Sequence, residues 1–277
     1  MSPPLPLWQN FQDILQRLVI HDWCALICDY EGLLTPAVDD PATAPLHPVM
    51  RQVLLVLLHH PHYRVAIVSG RPLARLQESV QELVTTELYL AGNHGLEIVG
   101  PRTIYLDQQA MLLQPQLRSI AQALSRALAG IPGVRVEDNG LILTLHLWEV
   151  PASYAPVVQR RVLDLVHPAL EARSLVLRAG RAVLEIRPRV EWDKGEAVRW
   201  IVEHMQSKRP GSHGLTIYIG DDVTNEDAFN VLDTTDLGIV VGTNRQDSLA
   251  HYCVETVGQA AQFLAVLSAM TWSTAQV

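Results

Sequence analysis

The stretch from Trp23 to Pro36, WCALICDYEGLLTP, constrains this chain most. A short apolar run, Ala25 to Cys28, ends abruptly in Asp29-Tyr30-Glu31-Gly32. The run has the length of a strand buried on both faces, and Gly32 permits an immediate turn after it. Two carboxylates two residues apart then stand at the carboxyl end of a buried strand, which is where open α/β sheets place their ligands. That location suits a carboxylate nucleophile, an acid/base partner and a hard cation.

The rest of the chain supplies the sheet this strand needs. Tyr63–Val68 reads as a second buried strand ending in Ser69-Gly70-Arg71-Pro72, and Leu88–Ala91 as a third ending in Gly92-Asn93-His94-Gly95. Helical periods separate them, at about Asn10–Ile20, Pro48–His59 and Pro72–Leu83, and Pro36–Pro48 reads as a loop. After Gly100-Pro101 the rhythm changes. A helix over Gln114–Ala129, a hairpin through Asp138-Asn139-Gly140, a helix over Ser153–Leu170 and a hairpin through Ala179-Gly180-Arg181 describe an α+β insertion. Strand–helix alternation resumes with a helix from Lys194, a strand Leu215–Ile219 stopping at Gly220-Asp221-Asp222, a short helix Asn225–Leu232, a strand Leu237–Val241 and a closing helix Val257–Ser268. The expected fold class is therefore α/β. A Rossmann-like parallel-sheet core (1–104 and 188–277) carries an inserted α+β domain (105–187).

Composition narrows the function classes. Apolar residues make up 48% of the 277 and charged residues 18%, the balance of an ordinary folded protein. A net charge of −8 without a Lys/Arg cluster argues against nucleic acid as a partner. The apolar runs are far shorter than the roughly 20 residues of a membrane span. Cys24, Cys28 and Cys253 show no metal-ligand spacing, and MSPPLPLWQN lacks the basic start and apolar segment of a signal peptide. A cytoplasmic location and a monomer are expected, with Ser2–Pro6 as a mobile tail.

Asp29/Glu31, Ser69, Lys194 and Asp221/Asp222 all fall at or near ends of core elements. In a parallel sheet the strand carboxyl ends share one edge, so these residues can converge. Phosphoryl transfer needs such a set. A carboxylate attacks phosphorus, a cation screens the two anions from each other, a hydroxyl and an ammonium hold the phosphoryl oxygens, and a second carboxyl group moves the proton. Lys194 is conspicuous because the helix dipole disfavours a cation at a helix start.

The chain resembles the haloacid-dehalogenase superfamily, and within it the trehalose-6-phosphate phosphatase family. The resemblance covers nearly the whole length and rests on LICDYEGLLTPAVDDP, VAIVSGRPL, LYLAGNHGLEIVGP, VEDNGLILTLH, AVLEIRPRVEWDKGEAV and YIGDDVTNEDAF. It implies hydrolysis of a sugar phosphate with Mg²⁺ through an aspartyl-phosphate. Asp29 would be the nucleophile and Glu31 the acid/base, with Ser69 and Lys194 gripping the phosphoryl group. Asp221, with Asp222, would hold Mg²⁺ together with Asp29 and the backbone carbonyl of Glu31. The insertion would be a cap. Glu137 and Glu185 match sugar-contacting cap positions, Arg71, Asn93 and His94 border the cleft from the core, and Arg178 and Arg181 are further substrate contacts.

The pattern also departs from the family. Asp29-Tyr30-Glu31-Gly32-Leu33 stands for D-x-D-G-T, and a methylene added to the acid/base arm moves its carboxyl by roughly an ångström, a displacement that can cost on the order of 100-fold in rate. Glu31→Asp is therefore expected to keep or raise phosphate release. Asn139 stands for Lys, Trp148 for Arg and Asn225 for Asp. Sucrose 6-phosphate or a glucosyl-polyol phosphate as substrate, and a catalytically weakened sugar-phosphate sensor, stay open as alternatives. A phospho-accepting receiver domain fits less well, since it needs no inserted lid.

Overall fold

A computed structural model describes residues 3–35, 44–85, 87–180, 182–243 and 247–270. The chain divides into two units, Met1–Tyr105 with Trp192–Val277, and Leu106–Glu191. The first begins with β1 (Leu5–Pro6), α1 (Phe11–Val19) and β2 (Trp23–Asp29). Leu5 and Pro6 were expected in a mobile tail, of which Ser2 lies outside the described residues. They instead pair in parallel with Tyr252 and Cys253, an edge position that suits a proline without an N–H. Burial of the adjacent Leu7 anchors them. Of the loop expected over Pro36–Pro48, residues 36–43 also lie outside the described residues.

Next come α2 (Pro48–His59), β3 (Tyr63–Val68), α3 (Leu73–Ser79), β4 (Tyr89–Gly92), β5 (Glu97–Gly100) and β6 (Thr103–Leu106). Pro48 supplies the fixed φ that a first helical turn accepts. α3 is shorter than its period suggested, giving way to a 3₁₀ turn over Gln81–Leu83. β5 runs antiparallel to β4. Strands of four residues, as β5 and β6 are, carry too little period to be read from the sequence.

The inserted unit contains α4 (Gln108–Ala127), β7 (Arg135–Asp138), β8 (Leu143–His146), α5 (Ala155–Glu171), β9 (Leu175–Gly180) and β10 (Val183–Pro188). α4 starts six residues before the expected Gln114 because Asp107 caps it, accepting from the Ala110 amide at 2.7 Å. The sheet order is β7-β8-β10-β9, with antiparallel neighbours throughout. Leu143, Leu145, Leu175 and Ile186 share an apolar cluster with Leu117 and Leu124 of α4 and Val158, Val162 and Val166 of α5.

The chain then completes the first unit with α6 (Lys194–Ser207), β11 (Gly214–Gly220), α7 (Glu226–Asn230), β12 (Leu237–Val241), β13 (Tyr252–Val254) and α8 (Val257–Ala269). Among the described residues its sheet has nine strands, ordered β1-β13-β12-β11-β2-β3-β4-β5-β6. The pairings from β1 to β4 are parallel. β2 is central. β11, β12 and β13 lie to one side of it, with β1 at their outer edge, and β3 and β4 to the other, so the order reverses between β2 and β11. That is the switch point at which an open α/β sheet leaves a crevice. No helix among the described residues is long and apolar enough to cross a membrane.

Side chains of β2 alternate between two cores, Cys24, Leu26 and Cys28 in one, Trp23, Ala25 and Ile27 in the other. Burial on both faces explains why the strand reads as a continuous apolar run. Leu26 is fully buried, whereas Val19 at the end of α1 is 66% exposed. Leu26→Ala is expected to cost about 2–5 kcal/mol, and Val19→Ala no more than about 0.5 kcal/mol; urea unfolding of the two variants measures the contrast.

Candidate active site

The register of the sheet sets the site. Asp29 is level with Val68 of β3, which is level with Ala91 of β4, while Cys28 pairs with Ile219 of β11. Asp29, Ser69, Asn93 and Asp221 therefore leave the sheet at one edge. Asp29 itself is 1% exposed. Its Oδ1 accepts from Lys194 Nζ at 2.9 Å and its Oδ2 from Asn225 Nδ2 at 2.9 Å. Lys194 is the first residue of α6, capped by Asp193, which accepts from the Glu196 amide. The unfavourable dipole at that position is offset by the ion pair with a carboxylate that has lost its water.

Asp221 and Asp222 follow β11 directly, and ligand oxygens of Asp29, Asp221 and Asp222 lie within 4.8 Å of one another. Asp222 also caps the 3₁₀ turn Val223–Asn225, accepting from the Thr224 amide and hydroxyl. Gly32, at φ +71°, is where Asp221 closes over the turn after β2. A Cβ there would sit 1.8 Å from Asp221 Oδ2, so only glycine serves. Three carboxylates converging on one point form a hard-oxygen set, the donor chemistry that Mg²⁺ prefers, and the residues present fit that ion. A cavity of about 570 Å³ opens beside Asp221, lined also by Gly32, Val241, Gly242, Thr243, Glu255, Thr256 and Val257.

The Glu31 side chain points elsewhere. Its two carboxylate oxygens accept from Ser69 Oγ at 2.9 and 2.8 Å, and Arg71 Nε donates to one of them at 2.9 Å. Arg71 is 8% exposed. It reaches Ser79 Oγ and the Ala44 carbonyl as well, and lies 4.5 Å from the centre of the Tyr30 ring. The Asn93-His94-Gly95 turn is left-handed at all three residues, φ +49°, +56° and +95°, a conformation uncommon outside glycine. Backbone bonds from Asn93 to the Arg71 carbonyl and from His94 to the Ser69 carbonyl hold it in place. Asn93 Nδ2 donates to Glu97 Oε2, which also takes the Leu73 amide.

In the inserted unit, Glu137, Thr144, Glu185 and Arg178 occupy one row across the four strands. The row falls on the face opposite the apolar cluster. Glu137 pairs with His146 at 2.7 Å and Glu185 with Arg187, while Asn139 donates to Thr144. Arg135 stacks over Trp148. Arg181 lies outside the described residues. Tyr218, whose hydroxyl donates to Asn225, and Glu97, which braces the Asn93 turn, belong to the site without standing out in the sequence. Tyr218 looked like one more strand residue, and Glu97 carried a signal only through its place in GNHGLE.

The Asp29 carboxyl is raised to about 8, chiefly by burial and further by Asp222, Glu31 and Asp221, against the opposing pull of Lys194. Burial also works against the Lys194 ammonium, but Asp29, Asp222 and Glu31 outweigh it and hold lysine above its usual value. Loss of hydration raises Asp222, yet Lys194 and Thr224 outweigh that and keep it below the ordinary carboxylate range. The bonds to Lys194 and Asn225 are those of the ionised carboxylate, and the raised value makes that form the costlier one to bury when no cation is bound. A group raised above its unfolded value loses its contribution to stability as pH climbs through the folded value. In EDTA, thermal stability is therefore expected to fall as pH is raised from about 5 to about 8.5, and Asp29→Asn to flatten that fall; melting curves across the range check it.

A family model described as trehalose-phosphatase matches residues 27–258. Probable trehalose-phosphate phosphatase 2 of Oryza sativa subsp. japonica is 33% identical over 288 residues, spanning 94% of this chain and 71% of that protein. Trehalose-phosphate phosphatase B of Arabidopsis thaliana is 32% identical over 250 residues, 86% of this chain and 64% of that protein, so this chain spans about two thirds of the length of these relatives. The solved C-terminal domain of a C. albicans trehalose-6-phosphate phosphatase has the same fold, with a TM-score of 0.77 at 22% identity over 98% of this chain and 100% of that one. The chain belongs to the trehalose-phosphatase family of phosphoric monoester hydrolases.

Proposed function

We propose that this protein hydrolyses trehalose 6-phosphate to trehalose and phosphate, with Asp29 as the nucleophile. The observation that carries the reading is the buried Asp29 at the switch point, paired at 2.9 Å with Lys194 and gathered with Asp221 and Asp222. Asp29 attacks phosphorus as the bond to the sugar oxygen breaks, and that oxygen leaves with a proton from Glu31. Water then attacks the aspartyl-phosphate and loses a proton to Glu31, which is thereby ready to act as acid again, and the phosphorus–oxygen bond to Asp29 breaks to restore its carboxylate and release phosphate. Lys194 holds phosphoryl oxygens while negative charge redistributes. Ser69, on the loop after β3, would share that task. Asp29, Asp221 and Asp222, with the Glu31 carbonyl, would hold Mg²⁺, which supplies charge neutralisation between nucleophile and phosphate dianion.

Arg71 fixes the Glu31 arm, and the Asn93-His94 turn borders the same sheet edge. In the inserted unit the row of Glu137, Glu185 and Arg178 offers carboxylates and a guanidinium on a polar face, chemistry suited to sugar hydroxyls. One observation favours a second reading, binding without turnover. Both Glu31 oxygens and the Ser69 hydroxyl are already engaged with each other.

Released phosphate decides between the two. With Mg²⁺ and trehalose 6-phosphate the protein is expected to turn over, Asp29→Asn to be inactive, and Glu31→Gln to lose on the order of 100-fold or more. Calorimetric binding with no release from the unaltered protein would establish the second reading instead. Sucrose 6-phosphate and a glucosyl-polyol phosphate in the same assay test the choice of sugar.

A further inference from the structure

Asn225 has no exposed surface, and its amide makes four hydrogen bonds. Nδ2 donates to Asp29 Oδ2 at 2.9 Å and to Asp222 Oδ1 at 2.8 Å. Oδ1 accepts from Lys194 Nζ at 3.2 Å and from the Tyr218 hydroxyl at 2.5 Å. Two donors and two acceptors exhaust the capacity of a carboxamide. The ammonium can only donate toward this point and the two carboxylates only accept, so these three partners determine the amide orientation and the Tyr218 hydroxyl donates to the oxygen left facing it. Aspartate at this position would turn lone pairs toward both carboxylates. Gly220 closes the remaining space, since a Cβ there would lie 2.5 Å from Asn225 Cγ.

We propose that Asn225 is a positioning residue that holds Asp29 and Asp222 together in the cation-free protein. It thereby takes over part of the work a divalent cation does and aligns the nucleophile before the cation arrives. The cost is one carboxylate fewer around the ion, hence weaker binding of it. This inference rests on the reading of Asp29, Asp221 and Asp222 as a divalent-cation site.

The test is a thermal-shift titration with MgCl₂ of the unaltered full chain, Asn225→Asp and Asn225→Ala, each starting in EDTA. Asn225→Asp is expected to melt roughly 5–10 °C lower without the ion, to regain more on Mg²⁺ addition than the unaltered protein, and to reach its midpoint at on the order of tenfold less Mg²⁺. Asn225→Ala is expected to lose stability and regain more with Mg²⁺ too, but without the tighter midpoint, because it adds no charge. Should the aspartate variant not fold, the larger Mg²⁺-dependent gain of the alanine variant carries the test. If the unaltered protein is stabilised by Mg²⁺ and the folded variants gain the same increment at the same midpoint, Asn225 is only a packing residue and the inference falls alone. If Mg²⁺ shifts none of the three proteins, the cation-site reading falls and this inference with it.

Discussion

Everything at the carboxyl edge of this sheet depends on keeping a carboxylate, Asp29, almost entirely out of water. A buried anion is costly unless it is paired and hydrogen-bonded. Here the compensation comes from an ammonium on one oxygen and an amide on the other. Lys194 is spent on this pairing even though it stands at the start of a helix, where the dipole opposes it. In the proposed role of nucleophile, a carboxylate stripped of solvent and fixed by two donors would need little reorganisation on attack, the condition under which electrostatic preorganisation is most effective.

The neighbouring loops are shaped by how closely they approach this group. Gly32 exists as glycine because Asp221 lies where its side chain would be. The left-handed Asn93 and His94 carry strain of the kind stored at functional sites, held by backbone bonds to the loop after β3. Glu31 has a longer arm than the aspartate of the family pattern, and the extra reach is used. It brings the carboxylate onto Ser69 and Arg71 while the backbone stays beside Asp29. The charge inventory shifts in the same direction, with one acid of the family pattern replaced by the neutral Asn225. Two departures that look unrelated along the chain thus fall at the same edge of the sheet, one on the turn after Asp29 and one bonded to it.

Much of this was legible along the chain. The run Ala25–Cys28 announced a strand covered on both faces, and Asp29 announced its end. Ser69, Lys194 and Asp221 stood at element ends, so one parallel sheet sufficed to bring them to a common edge. The helix–hairpin rhythm after Gly100 marked the insertion. Short elements were not legible. Leu5–Pro6, Glu97–Gly100 and Tyr252–Val254 have too few residues to display a period, and they exist because a neighbouring strand offers its backbone groups.

What the chain order establishes here is position: apolar alternation and turn residues decide which side chains reach the sheet edge, because those rules act over a few residues. Pairing at that edge is a different matter. Lys194 meets Asp29 across 165 residues and Asn225 meets it across 196. Such choices depend on side-chain reach, desolvation and the geometry of hydrogen bonds after the sheet has assembled. Only folding therefore reveals that Glu31 turns to Arg71, and that an asparagine occupies the centre of the acidic cluster.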